Sequence, residues 1–263
     1  VAKIPTVLAN MIGGLIGQAR ALLSIPRLRA LFGFCHAFGQ ILVVIGAALA
    51  LIYGIVYAIK YDSFQPLLAG LIAVLLLAVL QYVAKRLLDA CASIVQSSPT
   101  RVGSLAVIES IALLLLLAAV AALVSGIIAA IQFESINPLI PPLLAAAVLL
   151  VAAGIALHPS LANVEQAPAT AGEEAIGLFS FFAKAALVVQ PLVFFGYAAA
   201  GTIIVLLAIF GRDAAFSHAL LAFVPFPVPT EIAGAGLIAA GCLFPVFAYI
   251  SFLVYYLLID VLR

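Results

Sequence analysis

Charge is what this sequence has least of. Only 8% of its 263 residues are Asp, Glu, Lys or Arg, and 67% fall in the apolar and aromatic set AVILMFWYC, where a soluble domain carries about 25% charged residues. That excludes an ordinary globular protein, and no stretch is long and polar enough to form a soluble catalytic domain. The groups that usually do chemistry are few: three histidines, three cysteines and ten carboxylates. Cys35, Cys91 and Cys242 lie far apart with no CxxC or Cys/His pairing, so neither a zinc site nor a disulfide framework can be read from them and free thiols are expected. His36, His158 and His218 all fall near the ends of apolar segments, which argues against bis-His haem ligation within a bilayer. No metal, cofactor or catalytic group is expected. The net charge of +1, with Lys and Arg spread in twos and threes, leaves no basic surface for nucleic acid.

What the chain has instead is long apolar runs. A bilayer-spanning helix needs about 20 mostly apolar residues, and six segments qualify, at about 36–60, 66–88, 104–132, 139–158, 178–210 and 232–260. The expected fold is an all-α integral membrane protein of three helical hairpins. An N-terminal interfacial part covers 1–33, hairpin 1 covers 34–103, hairpin 2 covers 104–168, and a diverged hairpin 3 covers 169–263 with a long loop at 211–231. Within residues 5–25, Leu8, Met11, Ile12, Leu15, Ala19, Leu22 and Leu23 recur at helical spacing, with Asn10, Gly13, Gly14, Gly17, Arg20 and Ser24 mostly opposite. Such a segment, followed by Pro26, Arg27 and Arg29, reads as an amphipathic helix in the headgroup plane whose arginines reach phosphates. No secretory leader is expected, the first span acting as its own signal.

The distribution of cations gives an orientation. Lys3, Arg20, Arg27, Arg29, Lys85, Arg86, Arg101, Lys184 and Arg263 fall on the side of the termini, and only Lys60 and Arg212 on the other. By the positive-inside bias both termini face the cytoplasm, here of a bacterial inner membrane. The far side carries Asp62, Glu134, Asp213 and Glu231.

A shift of 72 residues superposes Tyr61-Asp62-Ser63-Phe64-Gln65-Pro66-Leu67-Leu68 on Phe133-Glu134-Ser135-Ile136-Asn137-Pro138-Leu139-Ile140, and Gly54 on Gly126. The first two hairpins thus read as an internal repeat. In each turn an interfacial aromatic ends one span, the acid stays in water, and Pro opens the next helix where its missing N–H does no harm. Asp62 and Glu134 are required turn residues on this reading, the alternative being a cation site formed by the two together. The third hairpin departs from the pattern. Its connection holds a short apolar helix around 215–223, with His218, and then Pro225, Pro227 and Pro229. The segment 159–177, small, polar and acidic, reads as a flexible linker with Glu173 and Glu174 as solvated caps of span 5.

Ion-coupled transport needs ionisable groups at membrane depth, and Glu109 and Lys184, the nearest candidates, can both rest near the interface. Uncharged polar residues remain inside the spans. Gln190 and Pro191 in span 5, with Tyr197, and Cys242, Pro245 and Tyr249 in span 6 form the candidate cavity, since proline in both spans can free backbone carbonyls into a shared space. Small residues, Gly196 with Ala200 and Gly236 with Ala240, favour helix packing instead. The leading expectation is a non-enzymatic structural or accessory subunit of a homo-oligomer or larger membrane complex, with membrane lipids and other subunits or copies of itself as partners. The alternative is a channel or carrier for a neutral or lipid-like solute through the cavity of spans 5 and 6. A lipid-modifying enzyme would need a polar interfacial cluster that the chain barely supplies.

Overall fold

The computed structural model describes residues 3–210 and 230–262, and the expected loop helix, His218 and the proline run lie outside them. The described chain is helical throughout except for two short strands: α1 (Lys3–Leu22), α2 (Ile25–Lys60), α3 (Gln65–Ser97), β1 (Thr100–Val102), α4 (Ala106–Gln132), α5 (Ile140–Leu157), β2 (Val164–Gln166), α6 (Ala171–Val188), α7 (Gln190–Ile209) and α8 (Thr230–Leu262). Six stretches are long and apolar enough to cross a membrane: α2, α3, α4, α5, α6 with α7, and Ala233–Leu258 of α8. The protein is a multi-pass integral membrane protein. At 1.5 Å per residue α2 and α3 run to about 50 Å, well past a hydrocarbon core of about 30 Å. Span 5 is interrupted at Val189, with Pro191 in the first turn of the helix that restarts there, as a missing N–H requires. Span 6 runs unbroken through Pro245.

The chain divides into two compact units, Val1–Leu31 with Val95–Ala185, and Phe32–Ile94 with Ala186–Arg263. These cut across the order of the hairpins.

In the first unit α4 and α5 pack as a hairpin. α4 is apolar on every side, and what selects its buried face is size: Ala112, Ala119 and Gly126 recur every seven residues and are buried together with Ile108. Small side chains let two backbones approach where lipid offers no hydrophobic drive. A Cβ on Gly126 would lie 2.8 Å from the Pro142 ring. The chain just after α1 reaches the same hairpin, where Leu28 and Leu23 pack on Gly154 of α5. Arg20 pairs with Glu109 in the first turn of α4, and Arg27 donates to the carbonyls of Ala21 and Leu22 at 3.4 and 2.9 Å. Two of the cations expected to reach lipid phosphates therefore hold the end of α1 to the protein.

The connection expected to be a flexible linker is ordered in its first half. Pro159–Ala162 forms a 3-10 turn, and Val164–Gln166 pairs in parallel with Thr100–Val102. Asn163 between them adopts φ 52°, a left-handed conformation that Asn tolerates better than most residues. Its side-chain amide donates to Val95 and Gln96 carbonyls at 3.1 and 2.8 Å, supplying the end of α3 with donors it lacks internally. Further on, Thr170 and Glu173 make a reciprocal capping box at the start of α6, at 2.8 and 3.4 Å. Glu174 is no solvated cap. Its carboxylate accepts from the N–H groups of Gly103 and Ser104.

The second unit brings α2 and α3 together with α7 and α8 around Val43, Leu77, Ala84, Leu88, Phe194, Ala198, Ile238 and Cys242. Polar bonds cross between its helices: Thr202 donates to the Leu42 carbonyl at 3.0 Å, and Gln81 donates to the Gln40 carbonyl at 3.1 Å. At the α2–α3 turn, Asp62 takes φ 46°, Tyr61 N–H bonds to the Tyr57 carbonyl at 3.0 Å and Ser63 N–H to that of Ala58 at 3.1 Å. This is a left-handed helix end of the Schellman kind. In the first unit, the turn after α4 repeats it locally: Glu134 at φ 47°, Phe133 to Ala129 at 3.0 Å and Ser135 to Ala130 at 3.2 Å.

Candidate functional site

The residues expected to form a cavity between spans 5 and 6 lie on α7 and α8, and where those helices meet they are closed on each other. Gly201 and Gly234 face across the contact, each so near that a Cβ would stand 2.5 or 2.8 Å from the other's carbonyl oxygen. One stretch further along, a Cβ on Gly241 would sit 2.6 Å from that of Tyr197. Cys242 has no exposure and belongs to the apolar core with Phe194 and Ala198. The Tyr197 ring stacks on Phe244 with centroids 6.1 Å apart. Pro245 is buried and Tyr249 half-buried, and Pro191 is half-buried at the break. Gln190 is 3% exposed; its side-chain N–H donates to the Ala186 carbonyl at 2.9 Å, while its carboxamide oxygen is buried with no partner among the described residues. The close approach uses Gly201, Gly234 and Gly241. Gly196, expected on the packing face, is exposed with open space beside it.

The second unit also holds a groove that sequence reasoning missed. It lies beside the α2–α3 turn, has a volume of about 370 Å³ and is lined by Tyr53, Tyr57, Tyr61, Pro66, Gly70 and Gly234 with several alanines. The three tyrosines form a ladder along α2, their ring centroids 4.2 and 5.5 Å apart. Residues four apart share a helix face, so the signal was present as Tyr-x-x-x-Tyr-x-x-x-Tyr. Ile204 and Val205 of α7 line it as well, and beside it Gly54 and Gly70 bring α2 and α3 into backbone contact, a Cβ on Gly54 standing 2.6 Å from the Pro66 carbonyl oxygen. The Lys60 ammonium stands over the Tyr57 and Tyr61 rings, 5.4 and 5.5 Å from their centroids, in cation–π contact. Asp62, at the tip of the turn, is exposed.

In the first unit Lys184 is fully buried within the protein. Its ammonium donates to the Ser98 carbonyl and the Thr100 hydroxyl, and at 3.5 Å to the Asn163 carbonyl; Thr100 in turn bonds Ser180 of α6 at 3.0 Å. A buried charge is tolerated only when its hydrogen bonds are made. Thr100 of β1 and Asn163, the residue before β2, both deliver oxygens to this amine, so it ties the strand pair to α6.

Glu134 is exposed and lines a smaller hollow of about 320 Å³ at its own turn, with Ile127, Ile131 and Leu139. Asp62 and Glu134 belong to different units. Among the described residues no group of three His, Cys, Asp or Glu is arranged to hold a metal ion. No family model matches the chain, and no curated protein or solved structure is significantly similar to it.

Proposed function

We propose that the protein is a non-enzymatic structural or accessory subunit that works through helix packing in a homo-oligomer or larger membrane complex. The observation that carries this reading is the closed α7–α8 contact: a solute path between these helices needs space where Gly201 meets Gly234 and Cys242 is enclosed. The alternative, a channel or carrier for a neutral or lipid-like solute, draws on the unpartnered carboxamide oxygen of Gln190 beside the break in span 5. The partners are membrane lipids and other subunits or copies of the chain.

The proposal includes a duplicated hairpin. Its support is the 72-residue offset, the left-handed Asp62 and Glu134 with matching backbone hydrogen bonds, and the correspondence of the Gly54–Gly70 approach with that of Gly126 and Pro142. It also includes cytoplasmic termini in a bacterial inner membrane, on the nine-to-two division of the eleven cations. The in-plane role of α1 belongs to the same reading, supported by its apolar periodicity and by its exposed Leu15 and Leu22.

The test pairs assembly with transport. On the subunit reading Gln190→Leu and Tyr249→Phe leave the native-gel assembly and solute flux in vesicles nearly unchanged, because such polar groups in spans contribute about 0.6 kcal/mol each. Flux abolished by Gln190→Leu with assembly intact replaces the subunit reading by the carrier.

A further inference from the structure

The tyrosine ladder and its lysine are not needed to make the turn they stand beside. The turn after α4 has the same left-handed acid and the same two backbone hydrogen bonds, yet at the positions 72 residues on from Tyr53, Tyr57, Lys60 and Tyr61 it carries Ser125, Ala129, Gln132 and Phe133. Three tyrosines and a cation are thus an addition specific to the second unit: the tyrosines line the groove and Lys60 stands over two of their rings. Its volume of about 370 Å³ lies within the range of small-molecule sites, roughly 300–1,000 Å³, and its walls are apolar except for the phenol oxygens. Close by in the chain, Ile59 and Phe64 are exposed apolar side chains of the kind that meets lipid.

Charge at the mouth narrows the occupant further. Lys60 and Asp62 flank Tyr61, and among the described residues neither has an ion-pair partner, the other included. A cation held over two rings keeps N–H groups free for a phosphate oxygen. The nearby carboxylate repels a headgroup of net negative charge and favours one that also carries a hydrogen-bonding amine. We propose that this groove binds one phospholipid with a primary-amine headgroup: an acyl chain lies along Tyr53, Tyr57 and Tyr61, the phosphate pairs with Lys60, and the amine pairs with Asp62.

The test reconstitutes the full chain in nanodiscs of equal parts phosphatidylethanolamine, phosphatidylglycerol and phosphatidylcholine, then counts lipids retained after detergent exchange by native mass spectrometry. The expected result is one phosphatidylethanolamine per chain. Lys60→Gln, a change at an exposed side chain, lowers retention about fivefold, the value of one cation near a phospholipid surface. Ala69→Phe, which fills the groove from an exposed position on α3, abolishes it. Arg86→Gln is the control, because Arg86 also stands over a tyrosine, Tyr82 at 5.5 Å, away from the groove; it leaves retention unchanged. Should Ala69→Phe fail to fold, as judged by circular dichroism, Lys60→Gln against Arg86→Gln decides alone. The proposal is overturned by retention equal to wild type in Lys60→Gln, by equal loss in Arg86→Gln, by selection of phosphatidylglycerol or phosphatidylcholine, or by no retained lipid.

Discussion

Lys184 illustrates how little a residue's letter says about its surroundings. In the sequence it stands between an acidic segment and an uncharged run reaching to Arg212, a pattern that suits an interfacial lysine; in the fold it is enclosed by protein and donates to oxygens of two distant connections. Nothing in the local pattern announces those oxygens, because they come from residues about 20 and 85 positions away. Lys184→Met keeps the stem and removes the donor, leaving buried carbonyls short of a partner, so a loss of about 1–3 kcal/mol is expected. Unfolding in mixed micelles measures it, and proteolysis within 159–170 should accelerate in parallel as the β1–β2 pairing loosens. A variant as stable and as protease-resistant as wild type would make the lysine a bystander. By contrast the turn acids were legible: aromatic, acid, Ser and Pro in fixed order is a local signal, and the geometry at Asp62 and Glu134 is local too.

Among elements, the six spans were legible because length and apolarity alone define them, and the interruption of span 5 followed from Gln190–Pro191. The faces by which the helices meet were not. α4, α7 and α8 are apolar all round, so no amphipathic stripe points inward, and the contact is chosen by where glycine permits approach. Several glycines and alanines on α7 and α8 compete as candidates; Gly196 is favoured by its spacing to Ala200 but faces open space, and Gly201, Gly234 and Gly241 make the contact. The difference gives a paired expectation. Gly234→Leu drives a side chain into the Gly201 backbone and destabilises the chain by about 1–3 kcal/mol or more, whereas Gly196→Leu enters open space and changes stability by less than about 0.5 kcal/mol. Equal effects in the same unfolding assay would remove the α7–α8 crossing as the organising contact of the second unit. The ordering of 159–167 escaped notice for another reason: its composition is that of a linker, and only a parallel partner strand 64 residues earlier, Thr100 opposite Val164, gives it structure.

For the molecule as a whole, the described surface is dominated by large apolar side chains, among them Leu75, Ile131 and Leu257, as a bilayer demands. Several of its charged groups hold the chain together, as with Arg20 on Glu109, Glu174 on the Gly103 N–H and Lys184 on the Ser98 carbonyl. That economy of polar groups is what makes a packing role the central claim. It is tested most directly by native-condition mass measurement of the protein purified from its own membrane in mild detergent. The account predicts a complex heavier than the 27.2 kDa chain with its bound lipid, made of further copies or of distinct subunits in fixed ratio. A single chain carrying lipid alone, at concentrations from the nanomolar to the micromolar range, would contradict it.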